Sequence, residues 1–317
     1  MTNHQRRNDT FPNRSYFVPY RYHLHGLHIA SDLPCPELIP QPGSPLADCN
    51  WRLARLDAHL EQASFANRGF QIAPGVYQFL IRNVARYRVE HGERILIDPV
   101  PGAAEGDVRL WLLGTALGAL LHQRGLLPLH VSALAMDNAA HAFCGDSGAG
   151  KSTLAAALYR RGLPLLTDDV GLAVPKENAV RFYPGFPRLK LWRDTLDHFG
   201  LDHRPLIRDL TRTEKFHLRL DNDFQGDPLP LNRLYVLERA SDDATQIDPV
   251  RGHTAIDLIR AHTYRPDLVR QLGGAGANLR TCGQVAQQVR VFRFRRPWRL
   301  DRLEAALDVL LAHLRED

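Results

Sequence analysis

The sequence predicts an α/β fold in which an N-terminal β-rich domain, residues 16–100, precedes an α/β domain, residues 106–317. Short runs of β-branched and aromatic residues, separated by turn residues, fill 69–97. Farther along, an apolar run, a glycine-rich loop and a helix-forming run follow one another over 141–159. The chain has 317 residues, 44% of them hydrophobic, which is enough to bury the cores of two domains.

The first hundred residues divide into a polar tail and the β-rich domain. Residues 1–15 show no hydrophobic periodicity, so we predict a disordered tail there. Strand-like runs occupy 76–81, 85–89 and 94–97, and the His91-Gly92 pair predicts the turn between the last two. Because nothing in 16–100 has the pattern of a catalytic group, this domain is predicted to serve substrate placement or assembly.

A linker and a helix connect the two domains. We predict that residues 99–105 form the linker. The leucine spacing over 106–124 predicts a helix with a broad apolar face. The apolar run at 127–134 then predicts a strand that contains His130. By itself, a histidine in such a run is more often a core residue than a catalyst.

A phosphate-binding pattern follows the next predicted strand, 141–145. Glycines allow a tight turn that aims backbone N–H groups at an anion, and the helix that follows adds the positive end of its dipole. In this pattern the lysine reaches the β- and γ-phosphates, and the hydroxyl after it faces Mg²⁺. The pattern therefore predicts a bound phosphate donor and Mg²⁺, and we expect ATP as the donor, although the pattern alone does not distinguish it from another nucleotide or pyrophosphate. The expected binding residues are Gly145, Asp146, Ser147, Gly148, Ala149, Gly150, Lys151, Ser152 and Thr153.

Two adjacent carboxylates end the next predicted strand, 163–167. Asp168 and Asp169 follow Lys151 by 17 and 18 residues. A carboxylate pair beside a phosphate loop can bind Mg²⁺ and can serve as a general base, and the pattern does not say which residue does which. We assign Ser152 and Asp168 to the metal and Asp169 to the acceptor hydroxyl as the working hypothesis.

Residues 184–192 predict a loop whose backbone is fixed by two prolines and a glycine. Arg188 and Lys190 in this loop either face the triphosphate, where they would offset charge in the transition state, or are solvated cations.

Composition restricts the class of protein. The net charge of +5 fits an acidic substrate or nucleotide phosphates. Arginines are scattered rather than clustered with aromatics, which argues against a nucleic-acid partner. No signal peptide or membrane-length apolar run occurs, and the four cysteines form no C-x-x-C pair, so a cytoplasmic protein without a membrane partner is expected. A homo-oligomer is left open.

His130, the 145–153 motif, the Arg161-Gly162 pair and Asp168-Asp169 together resemble the catalytic domain of HPr kinase/phosphorylase over about 127–174. The resemblance implies a P-loop kinase core of the HPr kinase C-terminal-domain type, with Lys151, Asp168, Asp169 and His130 as catalytic residues. His130 would position or tune the acidic pair.

Two departures qualify this resemblance. Thr153 stands where the family has glutamate, and the downstream Arg-Gly-rich segment that serves the phosphorylase reaction is missing. Residues 20–27 and 31–38 resemble a divergent branch found beside peptide-maturation genes, including those for lasso peptides. That branch implies a serine kinase acting on a precursor peptide or small protein.

Two other functions remain compatible with the sequence. A P-loop small-molecule kinase would use the same phosphate loop. A non-catalytic, nucleotide-dependent assembly factor would need the loop but not the acidic pair.

Overall fold

The computed structural model describes residues 19–43, 46–203, 206–208, 214–220 and 223–316. The predicted tail, 1–15, lies outside them. The strands, in chain order, are β1 Tyr20–Leu24, β2 Leu27–Ser31, β3 Cys49–Leu53, β4 Phe65–Ala66, β5 Phe70–Ala73, β6 Val76–Ile81, β7 Ala85–Glu90, β8 Arg94–Pro99, β9 Leu127–Leu129, β10 Ser132–Met136, β11 Ala139–Cys144, β12 Leu165–Asp168, β13 Gly171–Pro175, β14 Val180–Tyr183, β15 Arg188–Trp192, β16 Ile207–Arg208, β17 Lys215–Arg219, β18 Leu229–Arg239, β19 Gln246–Val250 and β20 Arg290–Arg296.

Helices lie mainly in the second half of the described chain. They are α1 Glu105–Trp111, continued by a π-helical turn Leu112–Ala116 into α2 Leu117–Gln123, then α3 Lys151–Arg160, α4 Arg193–His198, α5 Gly252–Ala261, α6 Pro266–Gln271, α7 Ala275–Gln288, a 3₁₀ turn Leu300–Arg302 and α8 Leu303–Arg315.

The N-terminal strands form one eight-stranded sheet in the order β1-β2-β3-β8-β7-β6-β5-β4, within the stretch for which the sequence predicts strands. The helix pair α1–α2 packs its leucines on this sheet, and the Tyr87 hydroxyl donates a 2.8 Å hydrogen bond to the Val108 carbonyl. The predicted helix is therefore present. The sequence analysis places it in the second domain, 106–317, but in the structure it shares a hydrophobic core with the N-terminal sheet. The apolar face of this helix is wide enough to cover the sheet. The division of the chain into domains at 16–100 and 106–317 stays a prediction.

The second sheet contains the strands that position the candidate site. Its path runs β12-β10-β11-β18-β14-β13-β9, and β20 pairs in parallel with β18. Strands β11, β18 and β20 are mutually parallel, and β12 runs the same way because both β11 and β12 are antiparallel to β10. The carboxyl ends of these four strands consequently meet at one edge, where ligands bind in open α/β sheets.

Alternating side chains place this sheet between two helical layers. Phe143 and Tyr235 face α3 and α8, whereas Cys144 and Val236 face α5 and α7. The two-residue period of a strand sends neighbouring side chains to opposite faces, so one sheet contributes to both cores. The described chain is thus a mixed α/β structure with several sheets.

Two sequence expectations about strands are wrong in detail. The run at 127–134 is two strands, because the chain turns at His130 and Val131 from the β9 end of the sheet to β10. The predicted loop 184–192 becomes β15 from Arg188 onward, pairing with β17 in a three-stranded sheet with β16. In both places backbone partners distant in sequence decide the outcome, and a local pattern does not contain them.

The turn between β1 and β2 contacts the second sheet. His25 and Gly26 both have positive φ, at 53° and 77°, as a two-residue hairpin turn requires. A β-carbon added at Gly26 would lie 2.6 Å from the Tyr183 ring. The absent side chain therefore lets the hairpin approach the end of β14.

We expect Gly26→Ala to destabilise the protein more than Gly43→Ala. Both glycines have positive φ, but nothing lies within 4 Å of a β-carbon at Gly43. Strain alone should cost about 1–2 kcal/mol in either variant. The contact with Tyr183 should add about 1 kcal/mol at Gly26. Urea unfolding of both variants measures the difference, and equal losses would mean that the ring moves aside freely.

Candidate active site

The glycine loop, residues 145–150, joins the end of β11 to the start of α3 in the order that the sequence predicts. Gly145, Gly148 and Gly150 have φ of 147°, 90° and 81°, a region that side chains disfavour. A β-carbon at Gly145 would also lie 3.0 Å from the Leu237 carbonyl oxygen. The loop can therefore make this path only with glycine at these positions.

Lys151 is the first residue of α3, and its ammonium folds back over the glycine loop. Its Nζ donates to the carbonyl oxygens of Gly145 and Asp146, at 2.7 and 3.1 Å. Burial lowers the pKa of Lys151, although Cys144, Asp168 and Asp169 partly oppose this shift. These two contacts hold the Lys151 ammonium at the mouth of the loop. A bound phosphate, which is a stronger acceptor than a carbonyl oxygen, would replace them.

Asp168 is a buried carboxylate with both oxygens occupied. Its Oδ1 accepts hydrogen bonds from Ser132 Oγ at 2.6 Å and Ser152 Oγ at 2.9 Å. Its Oδ2 accepts from the Lys190 backbone N–H at 2.8 Å. Ser132 is opposite Asp168 in the β10–β12 pairing, so the sheet register itself brings these groups together.

The Ser152–Asp168 pair fits a magnesium ion. Adjacent ligands of an octahedral Mg²⁺ with bonds of about 2.0–2.1 Å are about 2.9 Å apart, close to the observed oxygen separation of 2.9 Å. Within the described ranges no cluster of three or more His, Cys, Asp or Glu side chains suits a metal. Mg²⁺ bound by one or two protein ligands with phosphate oxygens and water does not need such a cluster.

Asp169 lies between two basic side chains. Its Oδ2 accepts from Lys190 Nζ at 2.8 Å, and its Oδ1 lies 3.3 Å from His130 Nδ1. His130 Nδ1 also lies 3.0 Å from the Asp169 carbonyl oxygen. The break between β9 and β10 that contradicts the predicted strand is what brings His130 to this position.

The backbone of Asp169 is strained. Its φ is 106°, and its N–H donates to the Val131 carbonyl at 3.0 Å. A non-glycine residue at such φ costs of order 1–3 kcal/mol, and such strain concentrates at functional sites. Here the strain turns consecutive aspartates toward different partners.

Opposing effects set the pKa of Asp169. Burial would raise it, but attraction to Lys190 and the hydrogen bond with His130 hold the pKa well below its usual range. The carboxylate therefore stays ionised at neutral pH and accepts hydrogen bonds.

We expect Lys190→Met to raise the pKa of Asp169, because methionine keeps the length of the side chain and removes its charge. A depressed pKa stabilises the fold above the unfolded value of about 4, and this stabilisation is lost as pH falls through the folded value. The wild type should thus exceed the variant in unfolding free energy near pH 6, and the gap should narrow on acidification.

Urea unfolding from pH 3 to 7 measures this gap, with Lys176→Met as a control at an exposed lysine. A gap that does not change with pH would assign Lys190 a packing role instead.

Most of the predicted site residues line one cavity of about 860 Å³, and Arg188 does not. Arg188 is buried with its guanidinium 4.6 Å from the centre of the Phe186 ring. It lies two residues, roughly 6–7 Å along the strand, before Lys190. Its role as a nucleotide ligand stays a prediction. The predicted residues on the cavity wall are His130, Gly145, Asp146, Ser147, Gly148, Ala149, Gly150, Lys151, Ser152, Thr153, Asp168, Asp169 and Lys190.

Thr153, which replaces the glutamate of the resembled family, has a local partner. Its Oγ1 lies 3.1 Å from Thr195 Oγ1 near the start of α4. This contact links α3 to α4. Because threonine is uncharged, position 153 adds no negative charge beside the acidic pair.

The cavity also contains residues that the sequence analysis missed. Burial, then repulsion by Lys151, lowers the pKa of His262 to about 4, and burial raises that of Tyr264 to about 12. His262 and Tyr264 follow α5, and their backbones pair with His130 and Pro128. Arg296 and Trp298 reach the cavity from the end of β20. None belongs to a local motif, so only the presence of basic and aromatic side chains at element ends could have suggested them.

Comparison with known proteins leaves the family open. No protein-family model and no curated protein matches the chain. The solved structure of the Hpr(Ser) kinase/phosphatase from Coxiella burnetii is similar over 59% of this chain and 96% of that chain, with 14% identity and a TM-score of 0.32. A similarity of this size carries no argument, so the HPr kinase resemblance and the lasso-peptide branch stay predictions. In the described residues no helix is long and apolar enough to cross a membrane.

Proposed function

We propose that this chain is an ATP-dependent phosphotransferase that transfers the γ-phosphoryl group to a serine hydroxyl. One observation carries the proposal: a single cavity holds the glycine loop with Lys151, the Ser152–Asp168 pair and the Asp169–His130–Lys190 cluster. Phosphoryl transfer needs a phosphate cradle, a place for Mg²⁺ and a group that orients the nucleophile. The three clusters match these three requirements.

The contacts of the two aspartates support different roles for them. Asp168 already accepts three hydrogen bonds, one of them from Ser152. It would hold Mg²⁺ together with Ser152, and the ion when bound neutralises charge on the phosphates. Asp169 Oδ1, which faces His130 at 3.3 Å, would accept the hydrogen of the acceptor hydroxyl.

In the proposed transfer step one bond to phosphorus forms as another breaks, and ADP is the leaving group. The serine oxygen forms a bond to the γ-phosphorus, the bond from phosphorus to the β,γ-bridging oxygen breaks, and the hydroxyl proton passes to Asp169. Because its pKa is held low, Asp169 is a weak base, which suits a loose transition state in which the proton leaves late. Lys151 would turn from the loop carbonyls to the β- and γ-phosphate oxygens.

A peptide is the acceptor that we propose, and the resemblance to peptide-maturation kinases motivates it. The cavity of about 860 Å³ is large enough for several residues of a peptide as well as a phosphate donor, and Trp111 and Arg265 also line it. Trp192, another lining residue, is 38% exposed. The polar, arginine-bearing segment 202–227, which lies partly outside the described residues, is either a further peptide contact or a plain surface loop.

The test is transfer of labelled γ-phosphate in the presence of Mg²⁺ to three acceptors: a serine-containing precursor peptide, a folded HPr-like protein and free serine. Mass shift of the peptide alone is the expected result. Phosphorylation of only the folded protein or only free serine would overturn the peptide assignment. Nucleotide binding without transfer to any of the three would favour the assembly-factor alternative.

A further inference from the structure

Arg296, the last residue of β20, is a buried cation that pairs with no carboxylate in the part of the chain that the structure describes. The side chain is 4% exposed and lies on the cavity wall beneath the glycine loop. Its Nη2 and Nη1 make long hydrogen bonds, 3.3 Å each, to the carbonyl oxygens of Ala149 and Pro297. Nε is buried and has no hydrogen-bond partner among the described residues.

A buried charge of this kind needs an anion. Removing a cation from water is costly unless it is paired, and two long bonds to carbonyls offset only part of the cost. Burial lowers the pKa of Arg296 to about 10, so the guanidinium remains charged at neutral pH. The neighbouring Arg295 pairs with Asp248 at 2.8 Å. Among the described residues, no carboxylate forms such a pair with Arg296.

The glycine loop is built to admit this guanidinium. A β-carbon at Gly150 would lie 2.4 Å from Arg296 Nη2. Glycine at this position therefore allows the arginine to touch the loop whose N–H groups would bind phosphate. The parallel pairing of β18 with β20 places the strand end at the same edge of the sheet as Gly145.

Trp298 follows two residues later and also lines the cavity. Its side chain is 40% exposed, which is unusual for a large aromatic group. An indole ring beside a phosphate site offers a stacking surface for a nucleobase.

We propose that Arg296 binds a phosphate group of the donor nucleotide and that Trp298 stacks on its base. The donor is then a nucleoside triphosphate rather than inorganic polyphosphate. This inference rests on the proposed function and adds to it the subsite for the donor, on the side of the glycine loop that β20 supplies.

Titration of ATP and of tripolyphosphate into the full chain with Mg²⁺ tests the two contacts separately. Arg296→Met should weaken binding of both by about 10- to 100-fold, the loss typical of a charged hydrogen bond. Arg296→Lys, which keeps the charge but not the fork, should fall between the variant and the wild type. Trp298→Ala should weaken ATP about 10-fold and leave tripolyphosphate unchanged. Arg295→Met, next to Arg296 and paired with Asp248, is the control and should bind both normally.

Thermal unfolding without ligand separates ligand binding from a structural role. Removal of an uncompensated charge should leave the melting temperature of Arg296→Met unchanged or higher, whereas loss of a structural contact would lower it. If Arg296→Met fails to fold, or if Arg296→Met and Arg296→Lys bind both ligands like the wild type, the phosphate assignment is wrong. Equal weakening of both ligands by Trp298→Ala would overturn the base assignment.

Two further outcomes distinguish this inference from the proposed function. A wild type that binds neither ATP nor tripolyphosphate would overturn both. A wild type that binds ATP, with loss in Lys151→Met but not in Arg296→Met, would overturn only the inference.

Discussion

Lys151→Met should reduce nucleotide-dependent phosphoryl transfer by about 10³-fold while the protein stays folded. The lysine ammonium is the cation nearest the loop carbonyls, at 2.7 Å from the Gly145 oxygen, and would stabilise charge that develops on the transferring phosphoryl group. Methionine keeps the buried volume and removes the charge, so packing around α3 should be preserved. Steady-state transfer to peptide and thermal unfolding would be measured on the same preparation.

The control for this variant is Lys176→Met, which removes a cation from an exposed position. It should retain wild-type turnover, because long-range charge effects are screened at physiological salt. Near-normal turnover of folded Lys151→Met would refute the assignment of the glycine loop as a phosphate site.

Asp169→Asn should lower turnover by about 10²–10⁴-fold, the contribution typical of a positioned general base. Nucleotide affinity should change little, since the contacts to the glycine loop come from other residues. Asparagine has nearly the shape of aspartate and is enriched, as aspartate is, among non-glycine residues at positive φ, so the change should add little strain to the φ of 106° at this position. Turnover and nucleotide affinity would be determined in parallel.

Asp168→Asn provides the comparison. It should raise the Mg²⁺ concentration needed for activity, because the amide weakens a carboxylate ligand. If the two variants exchange behaviour, with Asp169→Asn shifting the Mg²⁺ requirement, the two roles are reversed. Normal turnover of Asp169→Asn would make the Asp169 cluster structural.

Local patterns predicted the segments whose conformation depends on near neighbours. The strand, loop and helix over 139–160 follow from an apolar run, a set of glycines and an alanine-rich stretch, each of which restricts its own backbone. For the same reason, the local patterns at 170–174 and 180–183 predict the hairpin β13–β14, and those at 254–261 and 299–314 predict the helices α5 and α8. The three glycines within 273–277 predict a flexible turn, but the run leads into α7 at Ala275, where packing outweighs low helix propensity.

Local patterns do not predict the position of a site residue when that position depends on pairing with a distant part of the chain. The sequence predicts His130 within a strand, but His130 lies in the break between β9 and β10, where its backbone N–H donates to the His262 carbonyl at 2.8 Å. The sequence predicts Lys190 in a loop, but Lys190 lies on β15, a strand that forms by pairing with β17. In each case the partner is too far along the chain for a periodic pattern to indicate it.

The sequence alone thus determined the α/β class, the glycine loop with Lys151, and the presence of two acids at a strand end, because spacing and backbone preference are local properties. Only the tertiary structure decided that Asp168 faces Ser152 while Asp169 faces Lys190, and that Arg296 comes to rest against Gly150. Those contacts depend on the register between strands, and register is fixed by burial of whole sheet faces rather than by any single segment.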